Sequence, residues 1–190
     1  MRMSWFTQKD NGRRFLSTWE LCVFPMLGAL MYCSKMLMEV LPNIHLLGML
    51  TMTYTVVYRY KALIPLYIYI LINGLFCGFA TWWIPYLYVW TVLWGCTMLL
   101  SGRVSRRVAV VVYPLVCGLH GLAFGVLYAP AQALLYGLDF RAMLAWIVAG
   151  FPFDAVHAVG NVLAGLLILP LSTALQRISG GIDGKQTSSL

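Results

Sequence analysis

Gly150-Phe151-Pro152-Phe153-Asp154-Ala155-Val156-His157-Ala158-Val159-Gly160-Asn161 decides how the rest of the chain is read. Asp154, His157 and Asn161 recur at intervals of three and four, so on a helix their side chains share one face. They stand in an apolar run that continues to Leu175. An ionisable group at membrane depth is costly and faces a cavity or a partner rather than lipid. The stretch predicts a membrane helix with one polar, working face.

The composition agrees. The 190-residue chain is 61% hydrophobic and 10% charged, whereas a soluble domain carries about 25% charged residues. An all-α integral membrane protein is expected. The net charge of +7 comes from basic residues divided among short segments between apolar runs, a topology signal rather than a nucleic-acid footprint. Cys22, Cys33, Cys77, Cys96 and Cys117 lie inside apolar runs without Cys-x-x-Cys spacing, and are expected to be buried thiols acting as small hydrophobes. There is no His-Glu-x-x-His motif, no convincing metal cluster and no phosphate-binding loop, so neither a metal nor ATP hydrolysis is expected of this chain. Arg13-Arg14-Phe15-Leu16 resembles a twin-arginine export signal. The apolar run behind it exceeds the roughly 7–15 residues of a signal-peptide core, holds Lys35 and lacks an Ala-x-Ala cleavage site. A cytosolic anchor is expected instead.

Hydrophobic runs divide the chain into a tail (1–18), a six-span membrane domain (19–177) and a polar, flexible tail (178–190). The spans are expected near 19–41, 44–58, 62–80, 86–100, 108–129 and 143–175. The turn Thr81–Pro85 lies between the third and fourth. The connection Pro130–Phe140 is expected to be long, with a short interfacial helix. The last span is expected to bend at Pro152 and kink at Pro170. Lys and Arg concentrate in both tails, at Arg59 and Lys61, and at Arg103, Arg106 and Arg107, which places both termini in the cytoplasm. Asp154 stands about 35 Å of ideal helix above Arg177, and the hydrocarbon core is about 30 Å thick. Asp154 and His157 are therefore expected near the outer surface, level with Lys35, Glu39 and His45.

Each polar feature has two readings. Asp154, His157 and Asn161 could orient a polar small molecule, or Asp154 could cap backbone N–H groups freed at Pro152. Lys35 could pair with Glu39, with Asp154, or with a ligand. Trp82, Trp83, Tyr86, Tyr88 and Trp90 could be an interfacial belt or the wall of a pocket for a planar ligand. Asn73 and His120, in mid-span, are interhelix hydrogen-bond formers or pocket floor. Small residues at spacing four (Pro25, Ala29, Cys33; and Cys117, Gly121, Gly125, Ala129) permit close helix packing, within the bundle or against another membrane protein.

With these residues in view, the chain resembles the substrate-binding (S) component of an energy-coupling factor transporter. The resemblance rests on Leu41-Pro42-Asn43-Ile44, on Tyr86-Leu87-Tyr88-Val89-Trp90, and on Phe151-Pro152-Phe153-Asp154-x-x-His157-x-x-Gly160-Asn161. It implies a six-transmembrane-helix bundle in a prokaryotic plasma membrane that captures a vitamin or similar micronutrient outside the cell. It further implies delivery through a membrane scaffold (T) subunit and two ATPase subunits of an ABC importer, with Pro25, Ala29 and Cys33 at the scaffold contact. Cys33 departs from the Ala-x-x-x-Ala pattern of that family. The expected substrate-binding residues are His157, Asn161, Asp154, Lys35, Trp82, Trp83, Tyr86, His45 and Asn73. No covalently bound cofactor is expected. Cobalamin is the first cargo to consider, then a queuosine-type base, pantothenate or folate, with Cys77 or His157 as candidate cobalt ligands. Two other classes stay open: a stand-alone ion-coupled transporter, and an intramembrane enzyme using Asp154 and His157 as acid and base.

Overall fold

A computed structural model describes residues 16–41 and 44–187, with side chains as far as Ser179. The N-terminal basic tail, Pro42 and Asn43 lie outside the described residues. Among the described residues the chain is helical throughout. Its α-helices are α1 (Thr18–Leu37), α2 (Leu47–Tyr58), α3 (Leu63–Cys77), α4 (Trp83–Leu100), α5 (Arg106–Leu122), α6 (Phe124–Tyr136), α7 (Phe140–Gly165) and α8 (Ile168–Thr187). Five helical stretches are long and apolar enough to cross a membrane: Thr18–Leu37, Leu47–Cys77, Trp83–Leu100, Arg106–Tyr136 and Phe140–Gly165.

The stretch 47–77 is two helices, not one. A 3₁₀ turn at Arg59–Ala62 separates them, and Arg59 takes a left-handed φ of 56°. Contacts with α1 show that the chain reverses there. Tyr58 of α2 meets Phe24 and Tyr54 meets the Leu27 carbonyl, so α2 runs antiparallel to α1. Lys61 meets Glu20, Gly28 packs against Ile68 and Tyr32 stacks on Phe76, so α3 runs parallel to α1.

Helix α2 is the centre of the bundle. Ten of its 12 residues are buried, and Leu47, Met49 and Met52 join Leu66, Tyr69, Trp90, Leu93, Cys117 and Ile168 in the core. A helix surrounded by helices needs no polar outer face. Two of its threonines turn back onto the helix: Thr55 Oγ1 donates to the Thr51 carbonyl at 2.7 Å and Thr53 Oγ1 approaches Met49 Sδ. Hydroxyls turned back onto their own helix leave its surface apolar.

Small residues close the pairing of α5–α6 with α7. A Cβ on Gly165 would lie 2.6 Å from Pro114 Cα, and one on Gly121 would lie 3.1 Å from Ala158 Cα. A Cβ on Gly118 would overlap Val162, and one on Gly125 would overlap Asp154. These four contacts keep one antiparallel register, so the second small-residue stripe is internal packing. Cysteines divide differently from expectation. Cys117 is buried, but Cys22, Cys33, Cys77 and Cys96 are exposed, because they fall on helix faces turned away from the core.

Boundaries also shift. The fourth helix starts at Trp83, ahead of Pro85, which occupies the first turn, where a proline costs no hydrogen bond. The long connection at 130–140 does not exist: α6 passes through Pro130 to Tyr136. Gly137 closes it in the left-handed conformation, and Asp139 Oδ1 accepts from Ala142 N at 2.7 Å to start α7. Helix α7 passes through Pro152 unbroken and ends at Gly165. A break comes at Leu166–Leu167, just ahead of Pro170, which sits in the first turn of α8. Where apolar surroundings offer the backbone no competing partner, a proline is a weaker stop signal. Helix α8 reaches Thr187, into the stretch whose composition reads as a polar tail.

Candidate functional site

All three histidines of the chain converge on one ring cluster. His45, in the segment between α1 and α2, stands 4.5 Å from His157 of α7, centroid to centroid, and 5.7 Å from Trp90 of α4. Trp90 is 5.6 Å from His120 of α5. Phe124, at the start of α6, meets His157 at 5.1 Å, Trp90 at 5.9 Å and Tyr86 at 6.4 Å. Helical spacing assembles each wall. Tyr86 and Trp90 are four apart on α4, and His120 and Phe124 are four apart across the α5–α6 junction, so each pair shares a face.

The cluster is buried and incompletely paired. Trp90 is fully buried, and His157 and His120 are 4% and 7% exposed. Among the described residues, His45 Nδ1, His120 Nδ1, His157 Nε2, Trp90 Nε1 and Asn161 Oδ1 are buried polar atoms without a hydrogen-bond partner, as are Asn73 Nδ2 and Tyr69 Oη. Most buried polar groups in folded proteins are satisfied, so several orphans in one neighbourhood demand a reason. Each costs about 1–3 kcal/mol. A bound polar molecule or ordered water would satisfy them.

Two members of the polar face on α7 also tie helices together. Asn161 Nδ2 donates to the Cys117 carbonyl at 3.2 Å. It is 1% exposed and wedged beside Gly48 and Gly121, where a Cβ would come within 3.3 and 2.8 Å of Nδ2. Asp154 Oδ2 accepts from Gly125 N at 3.1 Å. The helix is interrupted at Ala123, which strips Gly125 N–H of its acceptor one turn back. Asp154 therefore caps α6 from the neighbouring helix. The capping reading of Asp154 therefore applies to the start of α6 and not to Pro152 of its own helix, where α7 is continuous.

The other expected site residues do not all join the cluster. Tyr86 joins the cluster through Trp90, at 6.1 Å. Trp82 reaches it indirectly, through Tyr86 at 5.5 Å and through its carbonyl, which accepts from Tyr128 Oη. Trp83 turns to α3, where Nε1 donates to the Ile70 carbonyl at 2.8 Å. Asn73 is buried on α3 and accepts from Cys77 Sγ at 3.5 Å. Lys35 pairs with Glu39 at 3.8 Å and approaches Cys77 Sγ at 3.7 Å, which answers the pairing question against Asp154. His45 and His157 stand together, and Lys35 and Glu39 pair at the C-terminal end of α1, the end that leads into the His45 segment. Trp90 lies about 10 Å of helix along α4 from Trp83, and the histidines lie with it.

The sequence leaves His120 as either an interhelix tie or a pocket floor. Its Nε2 does meet the Val89 carbonyl at 3.0 Å, but its ring also walls the cluster. Phe124 and Tyr69 carried no signal beyond apolar periodicity. Glu20 was not singled out either, yet it forms a buried pair with Lys61, whose Nζ lies 2.8 and 2.9 Å from its two oxygens. Among the described residues no three His, Cys, Asp or Glu side chains gather as a metal site.

An apolar groove of about 610 Å³ adjoins the cluster. His45 is its one ring wall; Met38, Ile44, Val159, Gly160 and Leu163 supply others. No protein-family model, no curated protein and no solved structure matches the chain.

Proposed function

We propose that the chain is the substrate-binding membrane subunit of an energy-coupling factor importer, which captures a vitamin or related micronutrient outside the cell. In this reading α1, α2, α3, α4, α5–α6 and α7–α8 make six crossings with both termini in the cytoplasm of a prokaryotic cell. The observation that carries the proposal is the cluster of His45, His120, His157 and Trp90, with its unpaired polar atoms held in an aromatic shell. Neutral imidazole and indole groups hydrogen-bond a ligand, and ring faces stack on it. Such a mostly apolar setting with a few convergent polar groups is the usual make-up of a small-molecule site.

Pro25, Ala29 and Cys33 support the assembly part of the reading. Pro25 and Cys33 are exposed and Ala29 is half-buried, so this stripe of α1 faces outward, while Gly28 beside it packs on α3. The outward stripe is free to meet a scaffold subunit, whose associated ATPases drive release of the cargo inside.

The test is to purify the chain in detergent and identify the co-purifying small molecule by mass spectrometry, then measure its affinity. Cobalamin heads the panel, followed by queuosine-type bases, pantothenate and folate. Tight binding without ATP is expected, weakened at least tenfold by His157→Ala. No binding by any member, together with no association with a scaffold subunit, would sink the proposal.

A further inference from the structure

The groove runs along α7 from Ala155 to Ala164, about 14 Å of helix, and on to Leu167 in the break beyond it. Its lining is apolar except for His45. The same His45 ring stands 4.5 Å from His157 and 5.7 Å from Trp90, so one side chain walls both the groove and the cluster. Its Nδ1 is buried without a partner. Gly160 keeps the floor low: a Cβ there would already touch Ile44 at 3.4 Å. From His45 the groove descends along α7 towards α8, which meets the Tyr58 end of α2 through Ser179.

We infer that the groove holds an alkyl or prenyl chain of the cargo itself, making the cargo an amphiphile with a hydrogen-bonding head at the histidines. This rests on the proposed function and narrows its cargo class. The polar cluster accounts for the head: several unpaired donors and acceptors enclosed by rings. The groove accounts for the tail, since it offers no polar partner beyond the shared His45. With the termini in the cytoplasm, the head lies on the outer side and the tail points towards the bilayer centre. An outer-leaflet amphiphile already has that orientation. Lipid chains are as apolar as the groove, so the tail gains little from burial itself. Its contribution is to concentrate the cargo in the bilayer and to present the head sideways at His45. Selectivity then resides in the head.

The experiment uses the full chain in lipid nanodiscs with single-chain hexadecyl probes that carry a mid-chain diazirine and an amide, carboxylate or amine head. Photolabelling is expected at Ile44 and Val159–Leu167, at least fivefold above lipid-facing Leu30 and Leu119. Val159→Phe and Leu163→Trp fill the groove from its exposed side (61% and 63% exposed) and leave the core untouched. Each is expected to cut groove labelling at least fivefold, and His157→Leu is expected to do so for the best head only. Labelling spread evenly over lipid-facing residues with every head, or unchanged in both groove variants, overturns the inference. A tail-free vitamin that binds wild type and Val159→Phe equally also overturns it, and leaves the capture function standing.

Discussion

Asp154 Oδ2 accepts a hydrogen bond from Gly125 N at 3.1 Å, across the contact between α7 and α6. One carboxylate thus starts a helix to which it does not belong. A local cap is worth about 0.5–2 kcal/mol, and a hydrogen bond to a charged group about 1.5–3. Asp154→Ala should destabilise the protein by about 2 kcal/mol, and Asp154→Asn by less, since the amide oxygen still accepts. Thermal unfolding in detergent measures both. Equal loss from the two substitutions would show that the carboxylate is not acting as a cap.

Glu20 serves two structures at once. Its Oε2 accepts from Ser17 N, Ser17 Oγ accepts from Glu20 N, and the carboxylate grips Lys61. Both partners are buried, at 4% and 9% exposure. Removing one member of a buried pair strands the other charge, at roughly 3–5 kcal/mol. Lys61→Met alone should therefore be costly, and Glu20→Gln, which keeps a capping group, less so. The double variant should recover most of the loss, and a double-mutant cycle reports the coupling.

Glycine substitutions separate packing from propensity. Gly165→Ala drives a methyl into the backbone at Pro114 and should cost about 1–3 kcal/mol, as overpacking does. Gly95 and Gly150 have open space around the added Cβ and lie inside helices. Alanine there should stabilise by about 0.5–1 kcal/mol, the helix-propensity difference. Denaturation curves for the three variants give the order directly.

Two tyrosines test whether the unpaired atoms matter. Tyr69 Oη is buried and unpartnered, whereas Tyr128 Oη donates to the Trp82 carbonyl at 2.9 Å. Tyr69→Phe should leave the ligand-free protein as stable or more stable, because the lost group made no bond. Tyr128→Phe should cost about 1 kcal/mol. A substantial destabilisation by Tyr69→Phe would mean that its hydroxyl is already satisfied.

Local pattern was legible and long-range convergence was not. Apolar runs and their breaks located the helices, because each helix must bury or present apolar surface to the bilayer. The face shared by Asp154, His157 and Asn161 followed from spacing alone. The meeting of His45, His120 and His157 did not, since each belongs to a different element and only packing around α2 brings them together. Pro130 misled for a related reason. The penalty for proline is set by what else can partner the backbone, and the neighbouring helix, not the sequence, supplies that.

Helix α1 is fastened to α3 along its whole length: Glu20 to Lys61 at one end, Gly28 against Ile68 midway, Tyr32 on Phe76, and Lys35 beside Cys77 at the other. The two run parallel and behave as one plank. A force applied to the outward edge at Pro25, Ala29 and Cys33 is carried to α3, and through the Trp83–Ile70 hydrogen bond to the head of α4. Trp90 rides on that same helix, so the outer edge of α1 is a handle whose other end is a wall of the histidine cluster.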